Sequence, residues 1–243
     1  MTVAAIIPAR YESTRFPGKP LAFLGGKPLI QWVWESVHNS GLFTHVLVAT
    51  DSGLIADTVA YFGGKAILTR SDHPSGSDRV AEVATGLDAE IVFNVQGDEP
   101  FIDKSALSFL LGSFAEPRVM MASLMTPFLQ TDDIRDPNQV KVVCDAEGYA
   151  LYFSRLPIPY DRDGLDNIIY KKHIGVYAYR RETLLRFVSL PPGKLEQAEK
   201  LEQLRALEHG IPIRMLETEY KGIGVDTPQD LAGAEVLLKR SLP

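Results

Sequence analysis

The 243-residue sequence has a single cysteine, Cys144. A lone thiol cannot close an internal disulfide or build a thiolate zinc cage. Long apolar runs are missing too: none approaches the roughly 20 residues that a membrane-spanning helix needs. The opening Met1-Thr2-Val3-Ala4-Ala5 lacks the cationic start and extended apolar stretch of a signal peptide. The expected location is therefore the reducing cytoplasm, with no membrane partner. Positive charge is in deficit, with 25 Lys and Arg against 31 Asp and Glu, a formal net charge of −6 and a pI near 5.4. That balance speaks against nucleic acid as a partner, because a phosphate backbone rewards a basic surface. Two nucleotide signatures are absent. Gly26-Lys27 is followed by Pro28, so there is no G-x-x-x-x-G-K-[ST] loop, and no G-x-G-x-x-G follows the first strand, which disfavours a dinucleotide dehydrogenase. Internal repeats, low-complexity tracts and domain linkers are also lacking.

The composition, 45% hydrophobic and 23% charged, is that of a globule and excludes wholesale disorder. The length suits one domain over residues 1–243 that buries roughly 70% of its unfolded surface. Short runs rich in Val and Ile alternate with segments of helical period. Strands are expected at Val3–Ile7, Val46–Thr50, Ala66–Thr69 and Glu90–Val95, and helices at Pro28–Ser40, Ser52–Phe62, Ser77–Thr85 and Asp103–Phe114. The strands are apolar throughout rather than alternating, as in a parallel sheet covered by helices on both faces. This is the pattern of an α/β wound sheet. From residue 118 to 180 the pattern changes. Val119–Met125, Val140–Cys144, Ala150–Ser154 and His173–Tyr179 read as strands, with a hairpin turn at Asp145-Ala146-Glu147-Gly148 and a proline-rich loop or arm over Pro157–Asp166. This stretch is expected to be an antiparallel elaboration of the wound sheet. Helices follow at Arg181–Leu190, Leu195–His209 and Thr227–Arg240, with a strand at Ile213–Glu217.

Directly after the first strand, Pro8–Pro20 carries Arg10, Arg15 and Lys19 against the single acid Glu12. Wound sheets bind ligands at that position. A loop of cations, with Gly18 for close backbone approach and Pro17 and Pro20 for stiffness, suits an oligophosphate; a solvated basic loop is the alternative. Asp98, in V-Q-G-D-E-P, follows the strand Glu90–Val95, and Asp226, in G-V-D-T-P-Q-D-L, precedes the last helix. Helix capping is their bland explanation, but Asp103 is better placed for the one helix, and Thr227, Pro228 and Asp230 for the other. Two spare carboxylates near a polycationic loop suggest Mg²⁺ bridging to phosphate. Arg79 lies in the first turn of its helix, where a cation opposes the helix dipole. It serves either an anionic ligand or a salt bridge to Asp78 or Glu82.

The set P-A-R-Y-x-S-T-R-x-P-G-K-P-L (8–21), S-G-S-D-R (75–79), Q-G-D-E-P (96–100), Y-F-S-R (152–155), H-I-G-V-Y-A-Y (173–179), L-E-Q-L-R (201–205) and G-V-D-T-P-x-D-L (224–231) resembles the CMP-Kdo synthetases, which are 3-deoxy-manno-octulosonate (Kdo) cytidylyltransferases. The likeness runs in order through nearly the whole chain. It implies a Rossmann-like mixed sheet of the nucleotide-sugar transferase type with an antiparallel dimerisation elaboration. The implied activity converts CTP and Kdo to CMP-Kdo and pyrophosphate with Mg²⁺, for lipopolysaccharide biosynthesis, in a homodimer. Carried over by motif, Arg10, Arg15 and Lys19 bind the triphosphate, and Asp98 and Asp226 hold the metal. Lys19, Arg10, Asp98 and Asp226 form the catalytic set. Ala9, Ser75, Gly76, Ser77 and Arg79 complete the nucleotide site, and Gln96, Arg155, Arg162, His173, Tyr177, Glu202 and Gln203 line the sugar pocket. Ser77 stands where the family has threonine, which keeps the hydroxyl, and residues 161–170 form a shorter segment than in some members. Arg155 is suited to gripping the sugar carboxylate as a fork.

Other readings are a cytidylyltransferase for 8-amino-Kdo or sialic acid, a metal-dependent glycosyltransferase and a non-catalytic nucleotide-binding regulator. The glycosyltransferase would use Asp161-Arg162-Asp163 as its D-x-D, yet that triplet sits in a proline-flanked loop. The regulator would be expected to have lost Lys19 or an aspartate, and all three are present.

Overall fold

The computed structural model describes residues 1–12, 16–129, 133–164, 168–222 and 224–241. Its elements begin with β1 (Val3–Ala9), a 3-10 turn (Lys19–Leu21), β2 (Phe23–Leu24), β3 (Lys27–Pro28), α1 (Leu29–Asn39) and β4 (His45–Thr50). Next come α2 (Gly53–Tyr61), β5 (Lys65–Leu68), α3 (Gly76–Thr85), β6 (Ile91–Asn94), α4 (Lys104–Gly112) and β7 (Met121–Pro127). The chain continues through β8 (Lys141–Cys144), β9 (Ala150–Ser154), β10 (Lys171–Arg180), α5 (Arg181–Ser189), α6 (Lys194–Glu199) and α7 (Gln203–Glu208), and ends with β11 (Ile213–Glu217) and α8 (Pro228–Ser241). These elements form two compact units, Met1–Ser108 with Gly222–Pro243, and Phe109–Lys221.

The first unit holds a parallel sheet in the order β6-β1-β4-β5. Burial accounts for the unbroken apolar runs: Ala4, Ala5, Ile6 and Ile7 of β1, Val48 and Ala49 of β4, and Ile91, Val92 and Phe93 of β6 are wholly inside. The helices start where side chains satisfy their first N–H groups. Ser52 Oγ accepts from the Ile55 N–H, Ser75 Oγ from the Asp78 N–H, and Asp103 Oδ1 from the Ala106 N–H. The chain winds from β1 to β4 to β5 and then returns to place β6 on the other side of β1. That reversal opens a crevice beyond the carboxyl ends of β1 and β6.

Helix α8 completes this unit. Val225 and Ala234 join Leu24 and Leu29 in a core flanked by Trp32, Phe101, Leu231 and Leu238. Fully burying a side chain the size of Val or Leu contributes about 1.5–3 kcal/mol. Gly25 turns the β2–β3 hairpin under α8 at φ 55°, a left-handed conformation that favours glycine, and a Cβ there would lie 2.2 Å from Leu238 Cδ2, so a larger residue would have to displace that side-chain tip. As expected, Thr227 and Asp230 cap α8: the Asp230 N–H donates to Thr227 Oγ1 and the Thr227 N–H to Asp230 Oδ2.

In the second unit β7 runs antiparallel to β10 and parallel to β11, and β8 is antiparallel to both β9 and β10. The expected turn joins β8 to β9, with Asp145 Oδ1 accepting from the Glu147 and Tyr149 N–H groups and Gly148 at φ 80°. The helix expected over Leu195–His209 is instead two, α6 and α7, separated at Lys200, which has φ 54°. Tertiary contacts explain the break. Arg205 Nε and Nη2 donate to the two carboxylate oxygens of Glu196 at 2.8 and 2.6 Å. In an unbroken helix two residues nine positions apart would be separated by about 13.5 Å along the axis. The reversal also brings the Glu208 carboxylate back to accept from the Leu195 and Glu196 N–H groups at the start of α6. Glu202 and Gln203 consequently stand at the head of a short helix, not within a long one.

Candidate active site

The crevice at the ends of β1 and β6 is a cavity of about 300 Å³, within the size class of small-ligand sites. Ala9, Arg10, Lys19, Ser75, Gly76, Arg79, Gln96, Asp98 and Asp226 all line it. The strand ends approach closely there: a Cβ on Gly97 would lie 3.0 Å from the Pro8 carbonyl oxygen. Gln96, which the motif likeness gives to the sugar, thus lines the same cavity as the nucleotide set, and its Nε2 donates to Asn94 Oδ1. Ser77 is buried behind the wall, its hydroxyl accepting from Asn94 Nδ2. Arg10 is exposed at the cavity mouth. Arg15 lies outside the described residues.

Lys19 is the centre of the arrangement. The loop before it closes through the Gly18 N–H donating to the Tyr11 carbonyl, and Gly18 takes φ 70° to start the 3-10 turn. Buried Pro20 anchors the turn. From there Lys19 Nζ donates to Asp98 Oδ2 at 2.7 Å and to Asp226 Oδ1 at 3.0 Å. The two aspartates, far apart in sequence, are brought together by a backbone hydrogen bond from the Val225 N–H to the Asp98 carbonyl. Burial works to lower the Lys19 pKa, but the paired carboxylates outweigh it and the net shift is upward. Two carboxylate oxygens converging on one cation suit a hard divalent ion completed by phosphate oxygens and water. Among the described residues no cluster of three or more His, Cys, Asp or Glu side chains exists that could hold a metal unaided.

Arg79 also faces the cavity, yet its guanidinium is braced from behind. Nη2 donates to Asp51 Oδ2, and Nη1 to Thr69 Oγ1 and the Arg70 carbonyl. Its ion-pair partner is therefore Asp51 at the end of β4, not Asp78 or Glu82. Glu82 is instead bonded to His73 Nε2. His73 lines the cavity and escaped the sequence reading, because its bond to Glu82 ties a loop residue to helix α3 and leaves no periodic signal.

The other expected sugar residues lie in the second unit. His173 on β10 is half-buried, and the desolvation there pushes its pKa down to about 3, so it is neutral. A bulge interrupts β10 between Ile174 and Tyr177. Ser123 on β7 fills it, with Oγ 3.1 Å from the Ile174 carbonyl, 2.9 Å from that of Val176 and 3.2 Å from His173 Nε2. The single hydroxyl proton serves the carbonyls, so His173 Nε2–H donates to the Ser123 oxygen. The Tyr177 ring lies 5.4 Å from that of His173, and its buried hydroxyl has no hydrogen-bond partner among the described residues. Burial first, then the charges of Tyr179 and Glu202, raise the Tyr177 pKa. Gln203 is buried at the start of α7. Among the described residues Arg155 donates to the carbonyls of Pro137, Glu199 and Lys200, which uses three of its five N–H groups. Arg162 is exposed in the loop after β9, together with Asp163.

The cytidylyltransferase family profile matches residues 4–216. The 3-deoxy-manno-octulosonate cytidylyltransferase of Trichlorobacter lovleyi is 49% identical over 251 residues, covering 99% of this chain and all of that protein. The protein of the same name from Syntrophotalea carbinolica is 48% identical, covering 98% and 99%. A solved structure of CMP:2-keto-3-deoxy-manno-octonic acid synthetase complexed with CTP superposes with a TM-score of 0.94 at 44% identity, over the full length of both chains. On this agreement of profile, full-length identity and fold, the chain belongs to the cytidylyltransferase family, within its 3-deoxy-manno-octulosonate branch.

Proposed function

We propose that this protein transfers the cytidylyl group of CTP to Kdo, giving CMP-Kdo and pyrophosphate, with Mg²⁺, in the cytoplasm and for lipopolysaccharide assembly. The observation that carries the reading is the convergence of Lys19, Asp98 and Asp226 in the crevice of the wound sheet, in a chain that matches Kdo cytidylyltransferases from end to end. The anomeric hydroxyl of Kdo forms a bond to the α-phosphorus, the bond to the β-phosphate oxygen breaks in line, and the hydroxyl proton passes to solvent. Asp98 and Asp226 would hold Mg²⁺, which when bound supplies positive charge to the phosphate oxygens. Lys19 and Arg10 pair with the triphosphate and, with Arg15, hold it for in-line attack; positioning of this kind supplies much of the acceleration. The Tyr177 hydroxyl, without a partner among the described residues, supports a polar ligand in the second unit, since an unmet buried hydroxyl costs about 1–3 kcal/mol. Arg155, Arg162, His173, Glu202 and Gln203, with Gln96, are proposed to serve the sugar.

Pyrophosphate release with CTP, UTP, ATP or GTP against a panel of Kdo, 8-amino-Kdo and sialic acid tests the reading. CTP with Kdo should be the preferred pair and UTP a poor substitute; equal turnover with ATP or GTP contradicts it. A homodimer built through residues 140–180 belongs to the same proposal. It is supported by Leu156, Tyr160 and Ile169, which are 72, 85 and 69% exposed and need a cover. Light scattering at micromolar concentration should give twice the chain mass, and a monomer contradicts it.

A further inference from the structure

We infer that Lys19 is an internal counter-ion that closes the Asp98–Asp226 pair to metal until a nucleoside triphosphate draws its ammonium away, so that metal enters with or after the nucleotide and not before it. This rests on the metal-binding reading above and deepens it. Lys19 Nζ lies 2.7 Å from Asp98 Oδ2 and 3.0 Å from Asp226 Oδ1, between the two carboxylates. A divalent ion bound to the same oxygens at about 2.1 Å would overlap the space of the ammonium and repel its charge. The two cations therefore exclude each other. The lysine is held in place as well: it rises from a 3-10 turn anchored by buried Pro20, and its side chain is only 16% exposed. The protein also offers too few ligands to compete for metal unaided, since among the described residues no third acidic, His or Cys side chain completes a cluster. A triphosphate supplies what is missing twice over. Its oxygens attract the Lys19 ammonium out of the pair, and they complete the coordination of the ion that replaces it. Until then the ammonium also shields an arriving polyanion from two carboxylates lining the same cavity as Arg10.

The test is a Mn²⁺ titration, followed by the electron paramagnetic resonance of free Mn²⁺, on the wild-type protein, Lys19→Met, Asp98→Asn and Lys19→Met/Asp98→Asn. Without nucleotide, Lys19→Met should bind Mn²⁺ at least about tenfold more tightly than wild type, because a unit positive charge beside the site is gone. The double variant should lose that gain. With CTP present, wild type should bind Mn²⁺ more tightly than Asp98→Asn. Equal Mn²⁺ binding by wild type and Lys19→Met without nucleotide, whether strong or weak, overturns the counter-ion role while leaving the metal reading standing. Equal binding by wild type and Asp98→Asn in the presence of CTP overturns the metal reading, and this inference with it. A second measurement needs no lysine variant: the melting temperature of wild type should not move with Mn²⁺ alone and should rise with CTP plus Mn²⁺. A rise with Mn²⁺ alone that Asp98→Asn abolishes also overturns the inference.

Discussion

His173 is an imidazole kept neutral by burial, and its pKa of about 3 against an ordinary 6.5 makes stability depend on pH. The folded pKa is the lower one, so the unfolded chain takes up the proton first as pH falls. This contribution to stability is full above about pH 6.5 and declines toward pH 3, by about 1.4 kcal/mol per pH unit in between. From about pH 7 to about pH 5 the wild type should lose about 2 kcal/mol more than His173→Gln in urea unfolding; equal losses would show that the fold does not hold the His173 pKa down. Other residues differed in how legible they were. Arg10, Lys19, Asp98 and Asp226 stood out in the sequence because a cationic loop in an acidic chain and carboxylates spared from capping are local signals. Arg79 and Arg155 did not reveal their bonds, since Asp51, Thr69 and the carbonyls of 137, 199 and 200 are brought to them only by folding.

Apart from the two-residue β2 and β3, which were not foreseen, the strands were readable within a few residues, because apolar runs bounded by turn residues leave little choice of period. The α6–α7 break was not readable. Leu195–His209 has helical periodicity throughout, and what divides it is an ion pair between residues that only the break can bring together. The Arg205 and Glu196 side chains are 7 and 14% exposed, so removing one partner strands a buried charge. Arg205→Met should therefore cost about 3 kcal/mol in urea unfolding. A cost below about 1 kcal/mol would place the pair among ordinary surface salt bridges and leave the break without its physical cause.

For the whole molecule, strand–helix alternation in the first third and its loss from residue 118 to 180 foretold a parallel wound sheet and an antiparallel elaboration. Strand order stayed out of reach. Nothing local says that β6 returns to the far side of β1, yet that return opens the crevice in which Lys19, Asp98 and Asp226 meet. The most direct test of the account is pyrophosphate release from CTP with Kdo and Mg²⁺, measured for wild type, Asp98→Asn and Asp226→Asn beside melting curves of all three. Wild type should release pyrophosphate only when Kdo is present. Each variant should keep its fold, since amide and carboxylate are nearly equal in volume, and lose at least about 100-fold in turnover. Kdo-independent release by wild type, or near wild-type turnover by either aspartate variant, would contradict the account.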